Sequence, residues 1–188
     1  MIAPAAGTIH HPPPIVSRRS RAACSGNERM SLKILVMGLP GAGKTTLATA
    51  LAPRLAAVHL NADEIRKHIN KDLGFAPADR IEQARRIGWL CDQIAKAGCP
   101  VIADFICPTQ EARAAFLEGG DAFVVWVDRI KSGRFDDTNR LFVAPERFDV
   151  RILAEGSPHY WCEQVIARLG LLPHYRERLL APPGSIGR

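Results

Sequence analysis

Leu32–Thr46 reads LKILVMGLPGAGKTT, a short apolar run that breaks into a glycine-rich turn and ends Gly43-Lys44-Thr45. Gly38, four residues, Gly43, Lys44 and Thr45 have the Walker A spacing, and the flanks fit it: LKILVM predicts a buried strand before the turn and TLATALAPRLA a helix after it. A loop that wraps phosphate oxygens with its own N–H groups needs backbone angles and close approaches that a Cβ would block, which is why glycine recurs here. Gly38, Leu39, Pro40, Gly41, Ala42, Gly43, Lys44, Thr45 and Thr46 are therefore expected to hold ATP. Lys44 would reach the β- and γ-phosphates, Thr45 would ligate Mg²⁺ through its hydroxyl, and the helix N-terminus would add its dipole. A chance glycine turn needs neither the strand nor the helix.

At 188 residues, with 47% hydrophobic and 23% charged residues, the composition is that of one soluble domain. The formal charge is +6, of which +3 falls in residues 1–29, where Arg18, Arg19, Arg21 and Arg29 face Glu28 alone. The remaining +3 suits a protein that handles nucleotides and is too small to argue for a nucleic-acid groove. Cys24, Cys91, Cys99, Cys107 and Cys162 show no metal-ligand spacing, so they read as reduced thiols of a cytoplasmic protein. No apolar run approaches the roughly 18 residues of a membrane span. Residues 1–30, with Pro4, Pro12, Pro13 and Pro14, read as a disordered or mis-assigned extension, residues 31–181 as the domain, and residues 182–188 as a frayed tail.

Downstream, Ala57–Leu60, Pro100–Asp104 and Ala122–Val127 read as further strands and Phe148–Leu153 as an edge strand. Helices are expected near 62–70, 79–97, 109–118 and 160–169; in the second, Ile81, Ala84, Ile87, Leu90, Cys91, Ile94 and Ala95 recur at intervals of three and four. Arg80, Arg85 and Arg86 lie off that stripe, where a solvated face is the default. Strands alternating with helices imply an α/β fold of the P-loop NTPase type, a parallel sheet flanked by helices on both faces. Asp63 falls at the carboxyl end of the second strand, where ligands bind in open parallel sheets, and Arg66 follows one turn later.

Between Gly38 and Phe116 the sequence resembles the adenylylsulfate kinase family. The resemblance is carried by Asn70-Lys71-Asp72-Leu73-Gly74-Phe75, Asp79-Arg80 and Arg85-Arg86-Ile87-Gly88, in register with that family's NKDLGF, DR and RRIG blocks. It implies ATP-dependent phosphorylation of the 3′-hydroxyl of adenylylsulfate. By it, Asp63 takes the hydroxyl proton and orders Mg²⁺, so Lys44 and Asp63 are catalytic and Thr45 and Asp63 serve the metal. Asp63, Arg66, Asn70, Phe75, Arg80 and Ile106 would bind the adenylylsulfate, Phe75 packing on its adenine. The resemblance also implies a kind of kinase that forms homodimers. Five features depart from the pattern: the family's Asp-Gly-Asp stands here as Asn61-Ala62-Asp63, its ISP serine is Cys107, the aromatic-Arg pair that follows is Thr109-Gln110, the asparagine ahead of RRIG is Gln83, and its DPKGLYKKA lid and FTGI turn are absent. Residues 128–148 take the lid's place and offer a lid arginine such as Arg140. The altered lid keeps open a related kinase acting on another hydroxyl, such as a different nucleotide, a modified base or a small alcohol. The carboxylate lost at Asn61 keeps open a nucleotide-binding module that transfers nothing.

Overall fold

Strand β1 (Lys33–Met37) is buried along its whole length, and its side chains divide between two cores. Ile34 and Val36 enter one, Leu35 and Met37 the other. That alternation requires helices on both faces of the sheet. The computed structural model describes residues 32–153 and 155–170, so the readings of residues 1–30 and 182–188 lie outside it.

The glycine-rich turn leads from β1 into α1 (Lys44–Arg54). Strand β2 (Val58–Asn61) runs straight into α2 (Ala62–His68), whose first turn is capped by the Asn61 side chain. A loop then reaches α3 (Pro77–Lys96), which opens with proline at a first-turn position that needs no N–H donor. Strand β3 (Val101–Phe105), α4 (Gln110–Phe116, capped by Thr109) and β4 (Phe123–Val127) follow. The segment expected to form a lid contains a short helix, α5 (Asp136–Leu141), and the chain closes through edge strand β5 (Val150–Ile152) and α6 (Pro158–Gly170).

The five strands lie in the order β2-β3-β1-β4-β5, and every pairing is parallel. On one face, Leu47, Ala48 and Leu51 of α1 and Trp161, Val165 and Leu169 of α6 pack on Ile34, Val36, Phe123 and Val125. On the other, Ala84, Ile87, Cys91 and Ala95 of α3 and Ala112 and Phe116 of α4 pack on Leu35, Met37, Ala103 and Val124. The stripe along α3 is therefore its buried face, and Gly88 within it sits so close to α4 that a Cβ there would lie 2.4 Å from the Phe116 carbonyl oxygen. Lys33 breaks the apolar pattern: it is 1% exposed, donates to Asp92 Oδ1 and to the Phe116 carbonyl, each at 2.8 Å, and lies over the Phe116 ring. A buried ammonium is tolerated only with such partners.

Candidate active site

The carboxyl ends of β1, β2 and β3 open into a cleft of about 540 Å³. From the glycine-rich turn and α1 it takes Pro40, Gly41, Lys44 and Thr45; from α2 Asp63 and Arg66; from the following loop and α3 Phe75, Arg80 and Gln83. Asp104, Ile106, Cys107 and Pro108 complete the floor, and Arg134, Phe135, Asp137 and Thr138 of the lid segment form the roof. Lys44, Thr45, Asp63, Arg66, Phe75, Arg80 and Ile106 thus share one chamber. Asn70 does not face it: it is buried, and its amide donates at 3.4 Å to Gln83, which itself donates to the Ala62 carbonyl at 2.7 Å and lines the chamber.

Gly38 fixes how the turn leaves β1. Its φ of +145° is one that L side chains rarely adopt, and a Cβ there would lie 2.3 Å from the Val127 carbonyl oxygen on β4. Lys44, buried in the first turn of α1, folds back to donate to the Leu39 carbonyl at 2.9 Å. Burial pushes its ammonium below its ordinary value, against the opposing pull of Asp104 and then Asp63. Such a cation is under-solvated and gains by meeting phosphate. Gly43 and Thr46 line a separate small recess with Arg129, Pro158 and Trp161, so the turn contributes to two adjoining hollows.

The opposite wall of the cleft is held by the residues that carry the family resemblance. Arg66 donates to the Leu73 carbonyl at 3.2 Å and to the Gly74 carbonyl, and Arg80 Nε donates to the Phe75 carbonyl at 2.9 Å. Arg86 forks onto both oxygens of Asp72 at 2.8 Å. The loop that carries NKDLGF is therefore laced to α2 and α3 by the arginines of the other blocks. The result is an exposed Phe75 ring with the Arg66 and Arg80 guanidinium carbons 4.8 and 5.8 Å from its centroid. Burial, and then repulsion by Arg80, holds the Arg66 guanidinium below its ordinary value, with Asp63 and Asp79 pulling the other way. Two crowded guanidiniums beside a flat apolar ring suit a base attached to an anion.

Besides Asn70, the geometry corrects Arg140 and Arg80, and it adds Asp104 and His59. Arg140 does not line the chamber; Arg134 does, its Nε 3.6 Å from where a Cβ on Gly41 would stand. Arg80 was assigned to substrate and also, by default, to a solvated face; its side chain is only 12% exposed and turns inward. The sequence marks Asp104 only as the end of a strand. It is 2% exposed and accepts from Thr45 Oγ1 at 2.6 Å, while His59 Nε2 stands 2.7 Å away. Its signal in the sequence was an acid closing an apolar strand. His59, on β2, had no such signal.

The lid differs from any flexible flap tied only at its ends. Val143 N donates to the Pro108 carbonyl at 2.8 Å, and Arg113 Nη1 bridges the Cys107 and Val143 carbonyls at 3.2 and 3.0 Å. Arg80 reaches Thr138 Oγ1 at 3.3 Å and Asp137 Oδ2 at 3.6 Å. Cys107 itself is fully buried with φ +46°, and burial pushes its thiol up to about 12.

With this geometry in place, comparison with known proteins is specific. Residues 30–133 match the adenylylsulphate kinase family. The chain belongs to that family. The match ends three residues before α5, so the family's common sequence covers the phosphate turn and the acceptor wall but not the lid helix. Adenylyl-sulfate kinase of Chloroflexus aurantiacus is 43% identical over 94 residues, 47% of this chain and 50% of that one. Its counterpart in Shewanella oneidensis is 42% identical over 113 residues, 55% of this chain and 54% of that one. The chain thus spans about half the length of these curated relatives. Among solved structures, the Mycobacterium tuberculosis APS kinase in complex with AMPPNP and APS superposes with a TM-score of 0.66 at 25% identity, covering 74% of this chain and 98% of that one. The hexameric APS kinase of Thiobacillus denitrificans gives 0.61 at 27%, covering 81% of this chain and 31% of that one. A Sinorhizobium meliloti gluconokinase, 15% identical with a TM-score of 0.58, shares the fold alone.

Proposed function

We propose that this chain transfers the γ-phosphoryl group of ATP to the ribose 3′-hydroxyl of adenylylsulfate. One observation carries the reading: Lys44 and Thr45 of the phosphate turn and Asp63, Arg66, Phe75 and Arg80 of the acceptor wall line the same cleft. The adenine of the acceptor stacks on Phe75, with Arg66 and Arg80 beside it to meet the phosphosulfate anion. Asp63, at the start of α2, orients the attacking hydroxyl and takes its proton as the new oxygen–phosphorus bond forms and the bond to the β-phosphate oxygen breaks. Lys44 and Arg134 offset the negative charge on the phosphoryl oxygens. This chemistry is positioning and charge neutralisation, not covalent catalysis.

The donor set also fits Mg²⁺. The Thr45 hydroxyl and the Asp63 and Asp104 carboxylates are hard oxygen donors at the phosphate end of the cleft, and among the described residues no group of three or more His, Cys, Asp or Glu competes as an all-protein cage. When held by Thr45, Asp63 and Asp104, the ion would neutralise negative charge at the transferring phosphate. We place the reaction in the cytoplasm, where ATP and reduced thiols coexist; Cys91, Cys99, Cys107 and Cys162 are all free, and no helix among the described residues is long and apolar enough to cross a membrane. Self-association is part of the same reading, since Ile69 and Trp89 are 63% and 64% exposed on one face of the molecule. Light scattering on the purified chain measures it.

The test is acceptor-dependent ADP release with adenylylsulfate and with a panel of other hydroxyl compounds. Turnover is expected with adenylylsulfate and is abolished by Lys44→Ala, with the unfolding transition unchanged. Retained turnover in that variant, or none with any acceptor in the wild type, overturns the proposal. Asp137 favours a second reading, because its carboxylate lies beside Arg80 in the acceptor half. Preference for a less anionic hydroxyl acceptor in the same panel would establish it.

A further inference from the structure

We propose that Asp104, oriented by Asn61 and His59, supplies the buried carboxylate on the metal side of the phosphate site, in place of the carboxylate that position 61 lacks. The proposal rests on the phosphate-donor half of the function above and is independent of the acceptor.

Strands β2 and β3 are parallel neighbours in which Asn61 and Asp104 are register partners, so their side chains emerge together at the ligand end of the sheet. The Asn61 amide donates to both oxygens of Asp104 at 3.1 Å, while its own oxygen accepts from the Asp63 and Glu64 N–H groups, also at 3.1 Å, and caps α2. Both ends of the amide are used. An aspartate at 61 would cap α2 as well, but would set a second carboxylate against Asp104, and like charges at that distance cannot both stay ionised without cost. Given Asp104, position 61 is best served by an amide. The carboxylate that the Asp-Gly-Asp pattern places at position 61 is then matched here by one on the neighbouring strand.

The bonding around Asp104 points to the phosphate site and not to the scaffold. The two other buried aspartates have partners that hold the fold: Asp92 accepts from Lys33, and Asp149 accepts from the Val124 N–H in the strand ladder. At Asp104 the bonds come from the side chains of Thr45, His59 and Asn61. Thr45 donates a hydrogen bond from its hydroxyl to Asp104 and accepts one from the Asn61 amide at 3.3 Å, which leaves one oxygen lone pair for a cation. An ionised Asp104 is an acceptor only, so His59 carries its proton on Nε2 and fixes the carboxylate from the far side. His59 is accordingly a positioning residue.

The full chain is compared as wild type, Asp104→Asn, Asp104→Ser, and the exchange variant Asn61→Asp with Asp104→Asn. ATP affinity is measured by calorimetry in Mg²⁺ and again in EDTA, and the ratio of the two is the readout, because a general loss of packing lowers both together. Asp104→Asn and Asp104→Ser are expected to cut the Mg²⁺-dependent gain by about 10–100-fold with EDTA affinity nearly unchanged, and the exchange variant to recover most of it. An unchanged Mg²⁺ gain in both Asp104 variants, or an exchange variant no better than Asp104→Asn, overturns the proposal. A wild type that binds no ATP in either buffer overturns the phosphate-site reading along with it. Failure of adenylylsulfate as acceptor leaves the calorimetric result to stand by itself and removes only the acceptor assignment.

Discussion

Replacing Phe75 by alanine separates the two halves of the cleft. The ring is 66% exposed, so it contributes little to the core, and its removal should leave the unfolding midpoint close to wild type. Its value lies in the face it offers between Arg66 and Arg80. Stacking of a base on an aromatic side chain is worth about 1–3 kcal/mol by alanine substitution, which is about 5- to 150-fold in an equilibrium constant. On the proposed function Phe75 meets the acceptor and not the triphosphate, so the loss should fall on KM for the nucleotide acceptor, with kcat and KM for ATP nearly unchanged. Steady-state ADP release at varied acceptor and saturating ATP reads this directly, and Phe75→Tyr, which keeps the ring, should behave as wild type. Unchanged acceptor KM in Phe75→Ala, or a fall confined to kcat, would refute stacking on this residue and with it the placement of the base.

Other perturbations test the frame around the site. Lys33→Met strands the Asp92 carboxylate, whose Oδ2 already has no hydrogen-bond partner; unfolding should be easier by about 3–5 kcal/mol, and Lys33→Met with Asp92→Leu should regain most of it in urea titration. Gly38→Ala forces both the φ of +145° and the contact with the Val127 carbonyl, costing about 1–3 kcal/mol from the backbone angle alone; ATP binding should be lost at temperatures where the fold persists. Burial pushes the Cys91 and Cys107 thiols from 9.0 up to about 12. The folded chain therefore holds protons that the unfolded chain releases above 9, so stability is flat below that pH and falls as pH rises toward 12. The urea midpoint should drop as pH rises from about 9 toward 11, and by less in a variant with both thiols replaced by alanine.

Where the chain encodes structure locally, its sequence was readable. The apolar alternation of β1, the spacing of the phosphate turn and the stripe on α3 each depend on residues within one element, and each placed its element within a few positions. Asp104 and His59 were missed because their meaning depends on strand register: Asp104 meets Thr45 and Asn61 from 59 and 43 positions away. Lys33 hid in the same way, its partner lying on α3. Arg140 was chosen over Arg134 because residues 128–148 have no period to show which side of α5 faces inward; tertiary ties to Arg80 and Pro108 decide it.

This contrast bears on what selects the acceptor. The wall from Arg66 to Arg86 is closed by bonds between residues at most 14 positions apart, so it is legible as a block in the sequence. The roof has local bonds of its own, Asn139 tying Ser132 and Gly133, and it is docked on the cleft by Thr138 and Asp137 on Arg80 and by Val143 on Pro108. An incoming anion at Arg80 shares the guanidinium with the Asp137 carboxylate 3.6 Å away, and whatever it gains there is reduced by that competition. Removing the carboxylate with Asp137→Asn should accordingly tighten binding of an anionic acceptor. For an uncharged hydroxyl acceptor that hydrogen-bonds Asp137, the same change should weaken binding, so the sign of one KM shift distinguishes the two acceptor classes.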